Sequence, residues 1–292
     1  MRTKQGRADV RTVLALAVTL IFWGSAFPFI RYALRTYTPG HLTLLRFLTA
    51  SAAMIPLAFV LRMPIPPRRF WPSLAGLSLL NVITYHVLLN YGLVAVQAGP
   101  GSLIVNAAPV FSYIAAGPIL RERVDFRAWT GLAVSLVGIA IIAVGANGSF
   151  RFDAGALLLL GCAVSWGLSS VLVKPLLVHM NALQVAAMTL WFGTLGLLIF
   201  LPGFAEAVRA APAKATLSVV YLGVFPITLC YATWNYVLAR LPATVAVNYT
   251  YLIPLIAIIE AYLMLGERPA PTALLGGVVA LGGVALSNSG RR

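Results

Sequence analysis

Residues 90–98 read Asn-Tyr-Gly-Leu-Val-Ala-Val-Gln-Ala, and residues 235–243 read Asn-Tyr-Val-Leu-Ala-Arg-Leu-Pro-Ala. The Asn-Tyr pair, a Leu and the final Ala recur in the same order, 145 residues apart. Further positions share this spacing: Pro109 and Pro254, Glu122-Arg123 and Glu267-Arg268, Gly131 and Gly276, and Gly138 and Gly283. Trp23-Gly24 matches Trp166-Gly167 two residues out of phase, which a shorter loop explains. The second half of the chain is therefore predicted to repeat the first.

The composition indicates that the surrounding solvent is lipid. Hydrophobic residues make up 60% of the 292 residues and charged residues 10%, and the mean hydropathy is +0.91. This leaves too little polar surface to cover a soluble domain of that length. The net charge is +14, but the basic residues lie in short connections rather than on one continuous patch. A nucleic-acid partner is therefore not expected, and the partner is the lipid bilayer.

The chain divides into windows long enough to cross a bilayer as helices, which takes about 20 apolar residues each. The predicted spans are 12–34, 42–61, 71–92, 98–119, 127–146, 154–175, 183–201, 215–238, 243–265 and 272–288. Each half holds five spans, and an odd-numbered repeat must insert upside down relative to its copy. We therefore predict an all-α integral membrane protein of ten transmembrane helices. Its two inverted five-helix repeats, 1–148 and 149–292, would surround a central cavity.

The distribution of positive charge predicts the orientation in the membrane. With the N-terminus in the cytoplasm, only six of the 21 Lys and Arg residues fall in outer segments: Arg31, Arg35, Arg151, Arg209, Lys214 and Arg268. Arg46 lies within a span, and the remainder lie on the cytoplasmic side. By the positive-inside rule, both termini are predicted to be cytoplasmic. Gly24-Ser25-Ala26 resembles a signal-peptide cleavage site, but cleavage there would remove part of the repeat, so we expect none.

Polar and aromatic residues at matched positions of the spans are the candidate substrate contacts, because polar groups are costly in hydrocarbon and tend to have a function there. Asn106, Asn248 and Tyr251 belong to matched stripes of the fourth and ninth spans, and His86-Asn90 matches Tyr231-Asn235 in the third and eighth. Tyr85 is expected to point to a different face from His86. For any one residue, a hydrogen bond between helices is an equally good explanation. The predicted substrate-binding set is Trp23, Phe27, His86, Asn90, Asn106, Trp166, Ser169, Tyr231, Asn235, Asn248 and Tyr251.

Four further residues are candidates for gating or coupling. Pro109 and Pro254 interrupt two helices at matched positions, so each frees a backbone carbonyl and permits a hinge or a fixed kink. Arg46 and Glu260 are placed by the spans at similar depth near the outer membrane surface. An ion pair between them would close an outer gate, and protonation of Glu260 would couple transport to a proton gradient. Snorkelling of both side chains to the interface is the alternative.

The sequence provides little for catalysis or cofactor binding. It contains no HExxH, GxSxG or GxxxxGK[ST] motif, so an enzyme or a direct user of ATP is not expected. Cys162 and Cys230 lie within spans without metal-ligand spacing, and we predict no metal and no cofactor. The fifth and tenth spans carry a stripe of small residues, Gly131-Ser135-Gly138 in the first half, that is typical of close helix packing or a dimer contact. The expected state is a monomer or a weak homodimer.

These features resemble the drug/metabolite transporter superfamily. The resemblance is carried by Trp-Gly-Ser at 23–25, Asn-Tyr-Gly-Leu at 90–93, Ala-Pro-Val at 108–110 and Gly-Glu-Arg at 266–268. Over nearly its whole length the chain is similar to the EamA-type bacterial exporters, and among them to the aromatic amino acid exporters. The resemblance implies helices one to four and six to nine around a cavity in a bacterial inner membrane, and export of amino acids or related metabolites.

The residues themselves indicate the substrate chemistry. A phosphorylated solute would need several cationic groups at the midplane, whereas the candidate lining holds Trp, Tyr, Phe, Asn and His. Such a lining suits small neutral or zwitterionic solutes with apolar or aromatic groups. The prediction is a secondary transporter that exports amino acids, aromatic or otherwise neutral, by alternating access. An exporter or importer of another metabolite or drug, or a channel-like or receptor protein, is the alternative.

Overall fold

The computed structural model describes residues 9–96, 98–122, 125–147 and 154–265, and residues 271–272, 275–276, 278–279, 282–283 and 286 of the C-terminal segment. All regular structure in these ranges is helical. The α-helices are α1 Val10–Ala33, α2 Pro39–Val60, α3 Trp71–Ser78, α4 Tyr85–Ala95, α5 Ala98–Val105, α6 Ala108–Leu120, α7 Phe126–Asn147, α8 Ala154–Leu172, α9 Lys174–His179, α10 Ala182–Leu197, α11 Phe204–Ala210, α12 Ala213–Leu222, α13 Cys230–Leu238, α14 Ala243–Asn248 and α15 Ile253–Leu265.

Several helices begin at residues whose side chains cap the free backbone N–H groups of the first turn. Asp9 accepts a hydrogen bond from the Thr12 amide at 2.9 Å at the start of α1. Thr38 accepts one from the amide of His41 at the start of α2. Asn181 and Gln184 form a reciprocal capping box at the start of α10. These caps set the first residue of each span, because the first four amides of a helix have no partner inside it.

Within the part of the chain that the structure describes, six helical stretches are long and apolar enough to cross a bilayer: Val10–Ala33, Pro39–Val60, Arg68–Ala95, Ala154–His179, Ala182–Phe200 and Ala213–Leu238. Shorter apolar helices cover Ala108–Leu120 and Ala243–Ala257. The all-helical membrane architecture is thus as predicted. The predicted tenth span, 272–288, lies largely outside the described residues, as do both termini and Glu267-Arg268, so the count of ten helices stays a prediction.

Two of the long helices contain a π-helical segment. Leu79–Thr84 is π-helical between α3 and α4, and Gly223–Leu229 is π-helical between α12 and α13. Leu79 and Thr84 lie 145 positions before residues 224 and 229, so the two segments coincide in the proposed repeat. A π-helical segment interrupts the regular hydrogen-bond ladder and is frequent at functional sites.

Two other helices are broken near their middles. A turn at Asn106-Ala107 separates α5 from α6 and immediately precedes Pro109 in the chain. A 3-10 segment, Tyr249–Leu252, separates α14 from α15 just before Pro254. Both prolines occupy the first turn of the helix that follows, where the missing amide hydrogen costs nothing. The two prolines therefore follow breaks in the backbone, whereas the sequence predicted bends within continuous helices; their role as hinges stays a prediction.

The helices of the two halves pack against each other. α1 packs against α12, α13 and α15, α2 packs against α10, and α8 packs against α4 and α6. Glycines permit the close crossings: a Cβ on Gly24 would lie 2.5 Å from Ile256 Cγ2, and one on Gly167 would lie 2.6 Å from the carbonyl oxygen of Ala108. The interior of the bundle is therefore lined by residues from both halves.

Candidate functional site

A cavity that is partly open to solvent lies within the bundle. Side chains from both halves surround it. Its lining residues are Trp23, Ala26, Phe27, Ile30, Arg46, Tyr85, His86, Leu89, Val105, Asn106, Trp166, Pro226, Tyr231, Thr250 and Ile253. We call this the central cavity. Its walls are mainly aromatic and aliphatic, with a few polar groups, which is the usual composition of a small-molecule site.

Six of the predicted substrate contacts border the central cavity: Trp23, Phe27, His86, Asn106, Trp166 and Tyr231. Tyr85 borders it as well, although the sequence placed Tyr85 on a different face of its helix from His86. The cavity therefore borders both residues. The Tyr85 ring packs edge-on against His86, with ring centroids 4.7 Å apart, and its centroid lies 5.3 Å from that of Trp166. Thr250 also lines the cavity and was not predicted.

The other predicted contacts lie elsewhere. Asn90 is fully buried behind the cavity wall and bonds to Arg46. Ser169 and Asn235 line a second, smaller cavity. Asn248 donates a hydrogen bond to the Tyr113 hydroxyl at 2.6 Å, a bond between helices.

Tyr251 is likewise absent from the lining of both cavities. It is 3% exposed, and its hydroxyl has no described hydrogen-bond partner. A repeated stripe of residues predicts which face of a helix is polar, but not whether that face meets a cavity or another helix.

Arg46 on α2 is the main correction to the sequence interpretation. It is 1% exposed and borders the central cavity beside His86, whereas the sequence placed it at an outer gate. Its Nη1 donates to Asn90 Oδ1 at 3.2 Å. Among the described residues it forms no ion pair with Glu260, whose Oε2 is buried without a hydrogen-bond partner. The predicted Arg46–Glu260 ion pair is therefore not formed in this structure, because α2 directs Arg46 toward α4 and α15 packs against α1.

A hydrogen-bond network holds Arg46 and Asn90 in place. The Asn90 amide group donates to Thr43 Oγ1 at 2.6 Å, and the Thr43 hydroxyl donates to the Pro39 carbonyl at 2.7 Å. These hydrogen bonds run from Arg46 on α2 to Asn90 on α4 and back to Thr43 and then to Pro39 in the first turn of α2. Asn90 therefore links the guanidinium to the start of its own helix. Asn90 and Thr43 therefore orient the cavity-lining cation without lining the cavity.

His86 and Tyr231 both line the central cavity and contact each other. The Tyr231 hydroxyl donates to the backbone carbonyl of Asn81 at 3.0 Å and lies 3.1 Å from His86 Nε2. Because the hydroxyl hydrogen is used, the complementary arrangement has His86 Nε2–H donating to Tyr231. The two residues are 145 positions apart, so they are counterparts in the proposed repeat.

Three tryptophans separate the two cavities. The rings of Trp23 and Trp166 are 4.8 Å apart in a T-shaped contact, and Trp234 lies 5.2 Å from Trp23 and 5.9 Å from Trp166. Trp23 also donates to the carbonyl of Pro226, at 2.9 Å, inside the second π-helical segment. Trp166 lines both cavities. The cluster therefore forms a wall between the two cavities, built from bulky rings that pack favourably in tilted arrangements.

Charged side chains bind helix ends at both ends of the bundle. Arg31 Nη1 donates to the carbonyls of Leu93 and Val94, at 2.7 and 3.1 Å, at the C-terminus of α4. Lys174 Nζ donates to the carbonyls of Leu238 and Leu241, at 2.8 and 2.6 Å, just past the C-terminus of α13. Cations stabilise the last carbonyls of a helix because these carry partial negative charge. We call the end that holds Lys174 the Lys174 end.

Glu122 binds the N-terminus of α14 at the Lys174 end. Arg121 terminates α6 in a left-handed conformation, φ 55°, which is uncommon for a residue other than glycine. The next side chain, Glu122, accepts hydrogen bonds from the Ala243 amide at 3.1 Å, the Thr244 amide at 3.4 Å and the Thr244 hydroxyl at 2.7 Å. Glu122 also lies within electrostatic range of Lys174. Together these two side chains, the Glu122–Lys174 cluster, join α6 and the start of α9 to α13 and α14.

The described residues contain no group of three His, Cys, Asp or Glu side chains that could hold a metal ion. Cys162 and Cys230 are free and buried. The site thus consists of an aromatic cavity with one cation, a second cavity behind a tryptophan wall, and charged contacts between helices at the ends of the bundle.

Comparison with known proteins agrees with this architecture. The model of the EamA-like transporter family matches residues 10–144 and again residues 153–289. A "Probable terminal-alkyne amino-acid exporter" of Streptantibioticus cattleyicolor is 39% identical, over 95% of this chain and 93% of its own length. The "Uncharacterized transporter YdfC" of Bacillus subtilis is 37% identical, over 95% and 91%. A "Probable amino-acid metabolite efflux pump" of Escherichia coli is 24% identical, over 96% and 95%.

A solved crystal structure shares the fold. It superposes with a TM-score of 0.74 at 20% sequence identity, over 95% of this chain and 96% of its own. The two family matches together span most of the chain, and the described helices are those of an integral membrane protein. The chain belongs to the EamA-like transporter family of the drug/metabolite transporter superfamily.

Proposed function

We propose that this membrane transporter exports amino acids with aromatic or other apolar side groups, and that the central cavity binds them. The observation that carries the proposal is the chemistry of the cavity: aromatic rings from four helices, neutral polar groups and the single cation Arg46. Aromatic walls favour an apolar side group through burial and ring contacts. The names of two relatives, an amino-acid exporter and an amino-acid metabolite efflux pump, support both the substrate class and the direction.

Alternating access is the proposed mechanism. Two inverted five-helix repeats, 1–148 and 149–292, can present one central site to either side of the membrane by rocking against each other. The double match to the family model, at 10–144 and 153–289, supports this division of the chain. The breaks before Pro109 and Pro254 are the proposed hinges, because a hinge absorbs its change of backbone angles at a few residues where a regular α-helix ends.

The proposed orientation puts both termini and the Lys174 end in the cytoplasm. It rests on the sidedness of the Lys and Arg residues in the sequence. In that orientation the central cavity lies on the outer side of the tryptophan wall and the second cavity on the inner side. The Glu122–Lys174 cluster would then hold the cytoplasmic end closed.

Counterflow in proteoliposomes tests the proposed function. Vesicles loaded with unlabelled Trp, Phe, Met, Leu or Thr, at equal pH on both sides, are diluted into labelled amino acid. Transient accumulation that saturates with concentration is expected for Trp and Phe above all, since exchange is the property of a carrier. Non-saturating uptake would indicate a channel instead, and no uptake of any amino acid would refute the proposed substrate class.

A further inference from the structure

The charge balance of the central cavity points to the group that the protein recognises on its solute. We propose that Arg46 binds a carboxylate of the transported molecule and that the amino group is not required for binding. This inference deepens the proposed function and rests on it for the statement that the bound solute is also transported. The substrate class would then be small monocarboxylates with an apolar group, of which amino acids are one kind.

The first step is that Arg46 is a cation with no described counter-ion. It is 1% exposed, in a bundle that lipid surrounds. Its only described hydrogen bond goes to the neutral amide of Asn90, and its Nε has no acceptor. An unpaired charge inside a membrane is expensive, and such residues mark substrate or ion pathways by default. The missing partner is therefore best supplied by an anion that comes and goes.

The second step is the geometry of the donors. A guanidinium presents five N–H groups in a fixed planar fork that matches the two oxygens of a carboxylate. Asn90 accepts a hydrogen bond from Nη1, and Asn90 is itself fixed by Thr43, so the fork is held in one orientation before any solute arrives. Such preorganisation reduces the entropy lost on binding. Multiply charged phosphate groups would need further permanent cations, and the lining of the cavity holds no Lys and no Arg besides Arg46.

The third step concerns the opposite end of an amino acid. The residues lining the central cavity include no Asp or Glu. The carboxylate of Glu260 lies outside that lining. An ammonium group would therefore find ring faces and neutral oxygens, as at Asn106, but no ion pair. The structure thus favours strong dependence on the carboxylate and weak dependence on the amine.

Binding of matched analogues to the purified protein tests the inference. The probes are phenylalanine, 3-phenylpropanoate, which keeps the carboxylate and lacks the amine, and phenethylamine, which keeps the amine and lacks the carboxylate. Binding is followed by quenching of tryptophan fluorescence, since Trp23 and Trp166 line the cavity. Phenylalanine and 3-phenylpropanoate are expected to bind within about tenfold of each other, and phenethylamine at least tenfold more weakly than either. Loss of one charged hydrogen-bonding pair corresponds to roughly 10- to 150-fold in affinity.

Variants of Arg46 link this preference to the residue. Arg46→Gln is expected to weaken both carboxylates by roughly 10- to 150-fold and to leave phenethylamine within about threefold. Arg46→Lys, which keeps the charge but not the fork, is expected to restore part of the loss. Arg35→Gln, an exposed arginine on the loop after α1, is the control and should bind as the wild type does. Size-exclusion profiles and thermal melts confirm that each variant is folded.

The outcomes separate this inference from the proposed function. Equal loss of all three probes in Arg46→Gln, or tighter binding of phenethylamine than of 3-phenylpropanoate to the wild type, would overturn the carboxylate role. Failure of either carboxylate to bind the wild type would overturn it too. Carboxylate binding that depends on Arg46, in a protein that shows no amino acid counterflow, would support the inference and refute the proposed function.

Discussion

Replacing Glu122 with Gln is expected to open the Lys174 end of the bundle. The carboxylate accepts three hydrogen bonds from the first residues of α14, at 3.1, 3.4 and 2.7 Å. Gln keeps one oxygen but puts an NH2 donor opposite donors of α14, and it removes a negative charge from a helix N-terminus. Hydrogen bonds to charged groups contribute about 1.5–3 kcal/mol, and charges at helix termini about 0.3–1 kcal/mol.

The expected cost of Glu122→Gln is therefore about 1–3 kcal/mol, and it falls on the closed arrangement only. In the proposed open arrangement α14 would be separated from Glu122, so the substitution would cost nothing there. A shift of that size changes the ratio of open to closed molecules by roughly 5- to 150-fold. The variant should therefore remain folded while the second cavity becomes accessible at the Lys174 end.

Alkylation of Ser169→Cys measures this opening. Ser169 is 3% exposed and lines the second cavity, and the native Cys162 and Cys230 are buried and give a low background. The rate with N-ethylmaleimide should rise at least fivefold when Glu122→Gln is added to Ser169→Cys. Glu206→Gln, an exposed acid on α11, is the control and should not change the rate. Equal alkylation rates for Ser169→Cys alone and for Ser169→Cys combined with Glu122→Gln would refute the closing role of Glu122.

Three further predictions concern the hinges, the buried acid and the helix packing. Pro109→Ala and Pro254→Ala should each slow counterflow severalfold while substrate affinity stays within about twofold, because extension of the helix through the break stiffens the hinge; unchanged exchange rates would indicate a fixed kink. Glu260→Gln should abolish the dependence of efflux on a pH gradient if Glu260 carries the coupled proton, since Gln cannot be protonated in that range; efflux that keeps the wild-type pH dependence would exclude that role. Gly193→Ala should lower the melting temperature by several degrees, because the new Cβ would lie 2.2 Å from Val82 Cγ1 and overpacking costs about 1–3 kcal/mol. Gly76→Ala is the control: its Cβ would meet open space, so the melting temperature should stay unchanged or rise.

The sequence predicts the helices well because long apolar windows have few alternatives in lipid. The predicted span 42–61 corresponds to α2, Pro39–Val60, and the predicted end at residue 238 is the end of α13. The prolines likewise marked the two broken helices. The first π-helical segment was not predictable, because no residue type in Leu79–Thr84 indicates an interrupted hydrogen-bond ladder.

Contacts between helices were harder to predict than the helices themselves. Arg46 and Glu260 lie at similar depths in their spans, which suggested a pair, but depth does not determine which way a helix faces. The pairing of Arg46 with Asn90 depends on how α2 and α4 cross, and that crossing follows from packing throughout the bundle. The Asn248–Tyr113 bond is a similar case, since the polar stripe on α14 faces α6 and not the cavity.

The contacts between matched residues bear on how such a site would serve both sides of a membrane. His86 touches its counterpart Tyr231, and Trp23 touches its counterpart Trp166. In two halves related by a two-fold axis, a residue can touch its own counterpart only close to that axis. These four residues would therefore mark the proposed axis, with the central cavity on one side of the tryptophan wall and the second cavity on the other.

Some contacts between helices occur at matched positions of the two halves, but the cation in the central cavity does not. Arg31 and Lys174, 143 positions apart, bind the C-termini of matched helices at opposite ends. Arg46 has no such counterpart, since the positions 143 to 145 residues later are Thr189, Leu190 and Trp191. The paired contacts of Arg31 and Lys174 would help either end to close, whereas the proposed carboxylate contact of Arg46 has no matched counterpart in the second half. Movement would then require rearrangement of helix ends around a bound carboxylate, without transfer of the solute from one site to another.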